Sequence, residues 1–278
     1  MVCHHERDPT RPGMRGMNSA GVRFVKASAC GNDFLILEGI HAPADIAAFS
    51  RRIADRHQGV GADGVEWLFP AEDADIRASL FNADGSPAEV SGNGTRCVAA
   101  YLCWQQAKPE IVVRTGAGLK TCTLLSHREK QYDFELAMGE PGIGHELLIP
   151  LAQGEVRGIP VSLGNPHFVM FVGTLPPRWQ AQAEEIGRRP EFKHGVNIEL
   201  VTIRDKHNIE VRFFERGVGE TQSSGTGSCA AAVAAMAEKK VASPVEVHAL
   251  GGVQVVRWEE QVFLRGSARL ICQGEFFV

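Results

Sequence analysis

The sequence predicts an α+β fold of two pseudo-symmetric domains, each a mostly antiparallel sheet curled around one central buried helix. Three observations predict it: segments that recur at one spacing, two glycine loops that each precede an alanine-rich helix, and many short alternating strands. The length of 278 residues is too great for one small core and suits one large domain or two of about 100–150 residues.

The first observation is an internal repeat. GNDF at 31–34 corresponds to GNPHF at 164–168, and the two asparagines are 133 residues apart. SGNGTRC at 91–97 corresponds to SGTGSC at 224–229 at the same distance. Two further pairs hold this register to within one residue: Asn82 with Glu215, and 61–66 with 195–199. Four segments in one register predict two related halves with a ligand cleft between them.

The second observation concerns helices. Residues 98–106 and 230–240 are apolar and alanine-rich with few polar positions, a pattern typical of a helix that is buried on all sides. Residues 46–57 and 178–189 are amphipathic, and they lie close to the repeat spacing. We therefore predict one central and one outer helix in each half.

The third observation is a set of short segments rich in Val, Ile, Leu and Phe, many of which alternate with polar residues as antiparallel strands with one wet face do. The predicted strands are 22–26, 34–38, 65–69, 76–81, 111–114, 134–138, 167–172, 197–203, 209–214, 245–248, 253–257 and 262–265.

Domain boundaries follow from composition. Residues 1–20 are polar and irregular, and we predict a disordered tail there. Gly and Pro at 138–144 predict the crossing between the halves. The first domain is then 21–139, completed by about 272–278, and the second is 140–271.

Composition excludes several functional classes. The net charge is −4 and no Lys/Arg cluster occurs, which argues against nucleic-acid binding. No apolar run approaches a membrane span, and the N-terminus lacks the apolar core of a secretory signal, so we expect a cytoplasmic protein. Seven cysteines without CxxC or zinc-ligand spacing predict free thiols and no metal site.

Each glycine loop places a hydroxyl residue, Ser91 or Ser224, before G-x-G and a buried helix. A helix start exposes unpaired N–H groups and the positive end of the helix dipole, and glycine lets a bound anion approach closely. Two such loops could hold a substrate carboxylate. The alternative is that both serines are simple N-caps. Neither loop has the lysine or the spacing of a nucleotide-binding loop.

The segments ACGNDF, FNADGSPAEVSGNGTRC, LGNPH and FFERGVGETQSSGTGSCAA resemble the signature segments of the diaminopimelate epimerases, in family order. The resemblance covers the chain from about residue 22 to its end. It implies the duplicated diaminopimelate epimerase-like fold and conversion of LL-2,6-diaminopimelate to the meso form without pyridoxal phosphate, metal or any other cofactor. It also implies two opposed cysteines that move the α-proton, and it is compatible with a homodimer.

Carried over position by position, the two cysteines of the family fall on Ser91 and Ser224. The resemblance implies that His167 tunes one of these acid–base positions and Glu215 the other. The substrate-binding positions that it implies are Asn32, Asn82, Gly92, Asn93, Asn165, Asn197, Glu215, Arg216, Gly225 and Thr226. Gly64 stands where some relatives carry Gln.

Several of these residues also have a simpler, purely structural interpretation. Asn32 and Asn165 also suit turns, and Glu215 with Arg216 also suits a surface pair. Cys97 and Cys229 lie on the predicted buried helices and are interpreted as core cysteines, and Cys30 has no predicted role.

Serine in place of both thiols predicts a chain that binds substrate but barely turns it over. A thiol has a pKa of about 8.5, whereas a hydroxyl is closer to water at about 15.7. Deliberate replacement and natural divergence both account for the serines. The alternative functions are a same-fold isomerase or dehydratase with other acid–base groups, as in proline racemase-like or phenazine-pathway relatives, and a non-catalytic amino-acid-binding protein.

Overall fold

A computed structural model describes residues 21–278, so the tail predicted at 1–20 lies outside the described residues. The first half of the described chain contains eight strands. They are β1 Val22–Ala29, β2 Asn32–Glu38, β3 Gly64–Phe69, β4 Ile76–Asn82, β5 Pro87–Ala88, β6 Glu110–Thr115, β7 Gly118–Arg128 and β8 Gln131–Gly139.

Ten strands follow in the second half. They are β9 Gly142–Ile143, β10 Leu147–Leu151, β11 Gly154–Ser162, β12 Pro166–Phe171, β13 Asn197–Ile203, β14 Asn208–Glu215, β15 Gly219–Thr221, β16 Val245–Ala249, β17 Gly252–Trp258 and β18 Val262–Phe276.

Four α-helices connect these strands. They are α1 Ile46–Ala54, α2 Gly92–Gln106, α3 Trp179–Gly187 and α4 Gly225–Ala237, with short 3-10 helices at Gly39–His41 and Pro190–Phe192. None of the helices within residues 21–278 has the length and apolar character needed to cross a bilayer.

The two halves share one order and direction of strand pairing. In the first half β2 is parallel to β3, β3 is antiparallel to β4, and β4 is parallel to β6. In the second half β12, β13, β14 and β16 pair in the same way. The predicted α+β fold of two similar units is confirmed. The sheets are mixed because a helix crosses over between the two strands of each parallel pair.

The end strands connect the halves. The first part of β18 pairs with β8, and its last part, from Arg269 to Phe276, pairs with β1. In turn β9, which follows β8, pairs with β11 of the second half. The last part of β18 therefore adds a strand segment to the first half at β1, and the two sheets are continuous through backbone hydrogen bonds.

Helices α2 and α4 form the centre of the molecule. Twelve consecutive residues of α2, from Gly92 to Cys103, are buried, and so are eleven of α4, from Gly225 to Ala235. Alanine predominates in α4, because small side chains let sheet strands approach a helix from every side. Both helices start earlier than predicted, since their glycine loops form the first helical turn, where glycine has a weak helix preference of its own.

The outer helices cover the opposite faces of the sheets. Phe49 and Ile53 of α1 pack in a separate apolar cluster with Leu35 and Trp67. The corresponding cluster under α3 contains Trp179 and Ile186. The ranges predicted for these helices agree with the structure to within three residues at each end. Strands β7, β10 and β11 were not predicted: the exposed, polar-rich segments of β7 and β11 show little apolar alternation, and β10 has only five residues, LLIPL, one of which is proline.

Candidate active site

Ser91 and Ser224 are the N-caps of the two central helices. Both have extended backbone, and each side-chain Oγ accepts a hydrogen bond from the N–H group three residues later: Gly94 N to Ser91 at 3.1 Å and Gly227 N to Ser224 at 3.2 Å. The same two serines line one cavity of about 800 Å³. The cap role does not exclude a place in the cavity wall, since capping uses only the oxygen of each hydroxyl as an acceptor.

The starts of the two helices touch. A methyl group added at Gly225 would lie 2.8 Å from the Cα of Gly92, and one added at Gly92 would lie 3.2 Å from the Cα of Gly225. Two backbones can approach this closely only where neither residue carries a side chain. The contact fixes the two capping serines on either side of a single space.

Replacement of Gly225 by alanine should therefore push the two helix starts apart. We expect the free energy of unfolding to fall by about 1–3 kcal/mol, because the obstructing atoms belong to backbone that moves little. Urea unfolding measures this loss. Gly187→Ala is the matched control, since a methyl group added there meets nothing within 4 Å. Equal stability of the two variants would contradict a tight contact between the helix starts.

The cavity lies between the halves and is lined from both. Most of the predicted site residues are in its wall: Asn32, Asn82, Ser91, Gly92, Asn165, Asn197, Glu215, Arg216, Ser224, Gly225 and Thr226. Asn93 and His167 are not in the wall and lie directly behind it, as their contacts show. The structure thus brings the residues of both repeats together around one space.

Asn93 is a buried bridge between the two halves. Its side-chain amide donates to Asn32 Oδ1 at 3.4 Å and to Ser223 Oγ at 3.3 Å. Its own Oδ1 accepts from Arg96 Nη2 at 2.5 Å. The Asn93 side chain is therefore committed to the protein, which leaves its backbone N–H group, in the first turn of α2, as the part of this residue that faces a ligand.

His167 is the middle of a buried hydrogen-bonded chain in the second half. Its Nδ1 lies 2.7 Å from Glu199 Oε1, and its Nε2 lies 2.9 Å from Asn165 Oδ1. Asn165 in turn donates to Thr226 Oγ1 at 3.3 Å. Burial raises the pKa of Glu199, and the adjacent imidazole opposes that rise. His167 therefore reaches the cavity through Asn165, and its direct partner is a carboxyl group that sequence analysis had not singled out.

Glu215 is the last residue of β14, and Arg216 follows it at the cavity wall. Burial raises the pKa of Glu215, the hydroxyls of Ser224 and Thr221 lower it, and the charge of Glu199 raises it further. Arg216 Nη1 donates to the backbone carbonyl of His194 at 2.8 Å, which holds the guanidinium at the cavity and leaves most of its donors free. Glu215 thus lies beside Ser224.

Two asparagines of the wall are oriented by nearby backbone or side chains. Asn197 Oδ1 accepts from the backbone N–H of Arg216 at 3.0 Å, and its amide donates to the carbonyl of Pro166 at 3.1 Å. Asn82 donates to Ser86 Oγ at 3.0 Å. The side chain of Asn197 therefore ties β13 to the loop that carries Arg216.

A charged network at the cavity rim was not predicted. Asn32 donates to Asp63 Oδ2 at 2.7 Å, and Arg56 pairs with both Asp63 and Asp33. Burial would raise the pKa of Asp33, but Arg56 and Lys26 lower it to about 2. Arg56 and Asp63 line the cavity. The match of 61–66 with 195–199 was the signal in the sequence that could have identified Asp63.

The cysteines on the central helices are core residues, as predicted. Cys97 and Cys229 are fully buried, and burial raises the pKa of both thiols, that of Cys229 to about 12. Cys30 Sγ lies 3.9 Å from Arg96 Nη2. Among residues 21–278, no group of three or more His, Cys, Asp or Glu side chains is arranged to hold a metal ion.

Comparison of structures defines the class of this fold. A hydroxyproline epimerase from Agrobacterium vitis, solved with bound trans-4-hydroxy-L-proline, superposes with a TM-score of 0.73 at 16% identity over 92% of each chain. A phenazine biosynthesis protein of the PhzF family from Bacillus anthracis gives 0.68 at 15% identity, over 92% of this chain and 99% of that one. The fold is that of the racemases, epimerases and phenazine-pathway proteins.

Sequence comparison is more specific. The family model for diaminopimelate epimerase matches residues 24–143 and 159–271. The diaminopimelate epimerase of Pelotomaculum thermopropionicum is 35% identical over 276 residues, which cover 92% of this chain and 99% of that protein. The chain belongs to the diaminopimelate epimerase family, and this membership supports a cofactor-independent epimerase, an isomerase, as its class.

Proposed function

We propose that the chain binds LL-2,6-diaminopimelate between its halves and has the site of a two-base epimerase that forms the meso isomer. With serine at both acid–base positions, this chain has almost no catalytic activity. The observation that carries the proposal is the cavity that both helix-capping serines line from opposite halves. The start of each helix supplies N–H groups for the substrate carboxylate. The side chains of Ser91 and Ser224 face the α-carbon of the substrate, one from each side.

The chemistry needs a base on one face of the α-carbon and an acid on the other. A thiol meets both needs because its pKa lies close to neutral pH, and proton transfer is fastest when the pKa of the catalyst matches the working pH. A serine hydroxyl is too weak an acid to give up its proton at neutral pH. Glu215, which hydrogen-bonds Ser224, is a group in the cavity wall that can accept a proton.

For the second head group of the substrate, the cavity wall offers Asn82, Asn197, Glu215 and Arg216, whose hydrogen-bonding groups suit an ammonium and a carboxylate. The planar guanidinium of Arg216 can bind a carboxylate through two parallel hydrogen bonds, which lysine cannot match. A substrate with a single head group would leave these groups without partners.

Titration calorimetry with LL- and meso-diaminopimelate tests binding. Pimelate, which has the carboxylates without the amines, and lysine, which lacks the distal carboxylate, are the ligand controls. We expect binding of diaminopimelate, weaker binding of either control, and scarcely any α-hydrogen exchange in deuterated water. Absence of binding by every one of these ligands would contradict the proposal.

Arg216→Lys should weaken the binding of diaminopimelate by about tenfold, because a charge-assisted pair of hydrogen bonds becomes a single contact. The dissociation constant from calorimetry measures the change. Arg212→Lys is the matched control: Arg212 lies on β14, the strand that leads to Arg216, pairs with Glu210 and is not in the cavity wall. If the two variants bound diaminopimelate with equal affinity, Arg216 would not be a ligand of the distal carboxylate.

A non-catalytic amino-acid-binding protein is the second candidate, favoured by the two serines. It predicts tight binding and no exchange even after cysteine is restored at both positions. An isomerase or dehydratase with other acid–base groups is the third, favoured by the carboxyl group of Glu215 beside Ser224. It predicts turnover by the native chain on a ligand other than diaminopimelate.

Three further proposals concern the evolutionary origin of the two halves, the cellular location of the protein and its oligomeric state. We propose that the halves, 21–139 with 272–278 and 140–271, arose by duplication, since their strands pair in the same order. We also propose a cytoplasmic location, supported by six free cysteines among the described residues, because such thiols persist where the surroundings are reducing. A homodimer is a further proposal, which sedimentation analysis tests.

A further inference from the structure

A buried carboxyl group lies beneath each glycine loop. Glu66 on β3 is 3% exposed and Glu199 on β13 is 1% exposed. They occupy equivalent positions: β2 pairs with β3 in the parallel register that β12 and β13 repeat. The proposed chemistry uses neither residue. Two buried acids at matching places near the starts of α2 and α4 therefore need an explanation of their own.

The geometry places each carboxyl group against the first turn of its helix. A methyl group added at Gly94 would collide with Glu66 Oε1 and lie 3.2 Å from the Cβ of Ser91. A methyl group added at Gly227 would lie 2.8 Å from Glu199 Oε1 and 3.0 Å from the Cβ of Ser224. In each half, the carboxyl group and the capping serine therefore both lie against the second glycine of the loop, Gly94 or Gly227.

The two acids differ in their partners. Glu199 binds His167 at 2.7 Å, whereas Phe34 stands at the matching place in the first half and offers no polar group. Glu66 is flanked in the sheet by Ile36 and Leu80. Among residues 21–278, burial is the one influence on the pKa of the Glu66 carboxyl group, and it raises that pKa to about 8. Glu66 is therefore an unpaired acid where Glu199 is paired.

The charged groups around Glu66 determine whether its negative charge is neutralised. Cys97 on α2 interacts electrostatically with Glu66, and the other titratable groups around that thiol are Arg96 on α2, Cys30 in the turn after β1, and Asp33 on β2. Arg96 directs one Nη to Asn93, and Arg56 and Lys26 are paired with Asp33, so none of these cations forms a direct ion pair with Glu66 within residues 21–278. Burial raises the pKa of Cys97 and keeps that thiol neutral.

We propose that Glu66 is a positioning residue of the first glycine loop, which admits the substrate carboxylate while Glu66 is neutral and opposes it once Glu66 is ionised. The reason is electrostatic. The start of α2 attracts an anion through its unpaired N–H groups and its dipole, and a carboxylate in the same low-dielectric first turn cancels that attraction. The inference rests on the proposed function for the identity of the anion.

Calorimetry with diaminopimelate from pH 6.5 to 9.5 tests the inference. Above pH 8 the affinity of the native chain should fall by about tenfold per pH unit, with proton uptake on binding, because only the neutral form of Glu66 accepts the ligand. Glu66→Gln keeps the shape and removes the charge, so its affinity should lack that fall. Glu66→Leu serves as a second variant. The same pH profile in the native chain and in both variants overturns the proposal.

A second measurement needs no ligand. In a Ser91→Cys variant, the rate of iodoacetamide labelling at residue 91, followed by mass spectrometry of its peptide, gives the pKa of that thiol. Adding Glu66→Gln should lower this pKa, because a neighbouring negative charge disfavours the thiolate. An unchanged labelling profile overturns the role of Glu66. If diaminopimelate fails to bind while the labelling shift occurs, the proposed function fails and the role of Glu66 stands.

Discussion

Replacement of both Ser91 and Ser224 by cysteine should raise the exchange of the α-hydrogen of diaminopimelate with deuterated water at least about a thousandfold. The gap between thiol and hydroxyl is roughly 7 pKa units, or about 10 kcal/mol. A helix start contributes about 0.3–2 kcal/mol and cannot close it. Proton NMR in deuterated water measures the exchange, and the native chain provides the baseline.

The single variants sharpen this prediction. With one thiol, a proton can leave and return on one face only, so exchange should occur without inversion. Ser91→Cys and Ser224→Cys should each act on a different epimer, because the two serines reach the cavity from opposite halves. Inversion should require both cysteines.

A thiol placed elsewhere in the same cavity is the control. Ser223 also lines the cavity and neighbours Ser224, so Ser223→Cys introduces a thiol of similar access at the wrong position. It should leave exchange at the native level. If the doubly restored protein exchanges no α-hydrogen of diaminopimelate or a related amino acid, the assignment of an epimerase is wrong.

Removal of the buried acid at Glu66 should stabilise the protein at alkaline pH. Its carboxyl pKa is raised from 4.5 to about 8, so the folded state holds a proton that the unfolded state releases. Its contribution to stability is complete below pH 4.5 and is lost as the pH rises to about 8. Each pKa unit is worth about 1.4 kcal/mol, so the loss amounts to several kcal/mol.

Urea unfolding of the native chain, Glu66→Leu and Glu66→Gln at pH 5, 7 and 9 measures this effect. The advantage of Glu66→Leu over the native chain should grow with pH, since leucine packs with Ile36 and Leu80 and carries no charge. Glu66→Gln should show the same change of slope, with a constant offset for its buried amide. A difference that is independent of pH in both variants would mean that Glu66 does not titrate in this window.

Local pattern was sufficient for the regular elements. Outer helix α1 was predictable from its apolar stripe, and β14 from strict alternation. Local pattern was insufficient for β7 and β11. A strand with an exposed, polar-rich face forms because of the strands to which it is hydrogen-bonded, and those strands can lie far away in the sequence. The first turns of α2 and α4 were missed for a related reason, since only burial and a capping serine make such glycine-rich turns helical.

The sequence alone determined that two segments carry matching glycine loops, and that serine stands at both positions where the resemblance implies a catalytic cysteine. It could do so because a repeat and a motif are properties of the order of residues. Only the tertiary structure decided that the two helix starts touch at Gly92 and Gly225, and that His167 reaches the cavity through Asn165. It also placed an unpaired Glu66 beneath one loop and a paired Glu199 beneath the other. The physical reason is that contact, burial and the pKa of an acid depend on which groups the fold packs around it, and one isolated segment does not contain those groups.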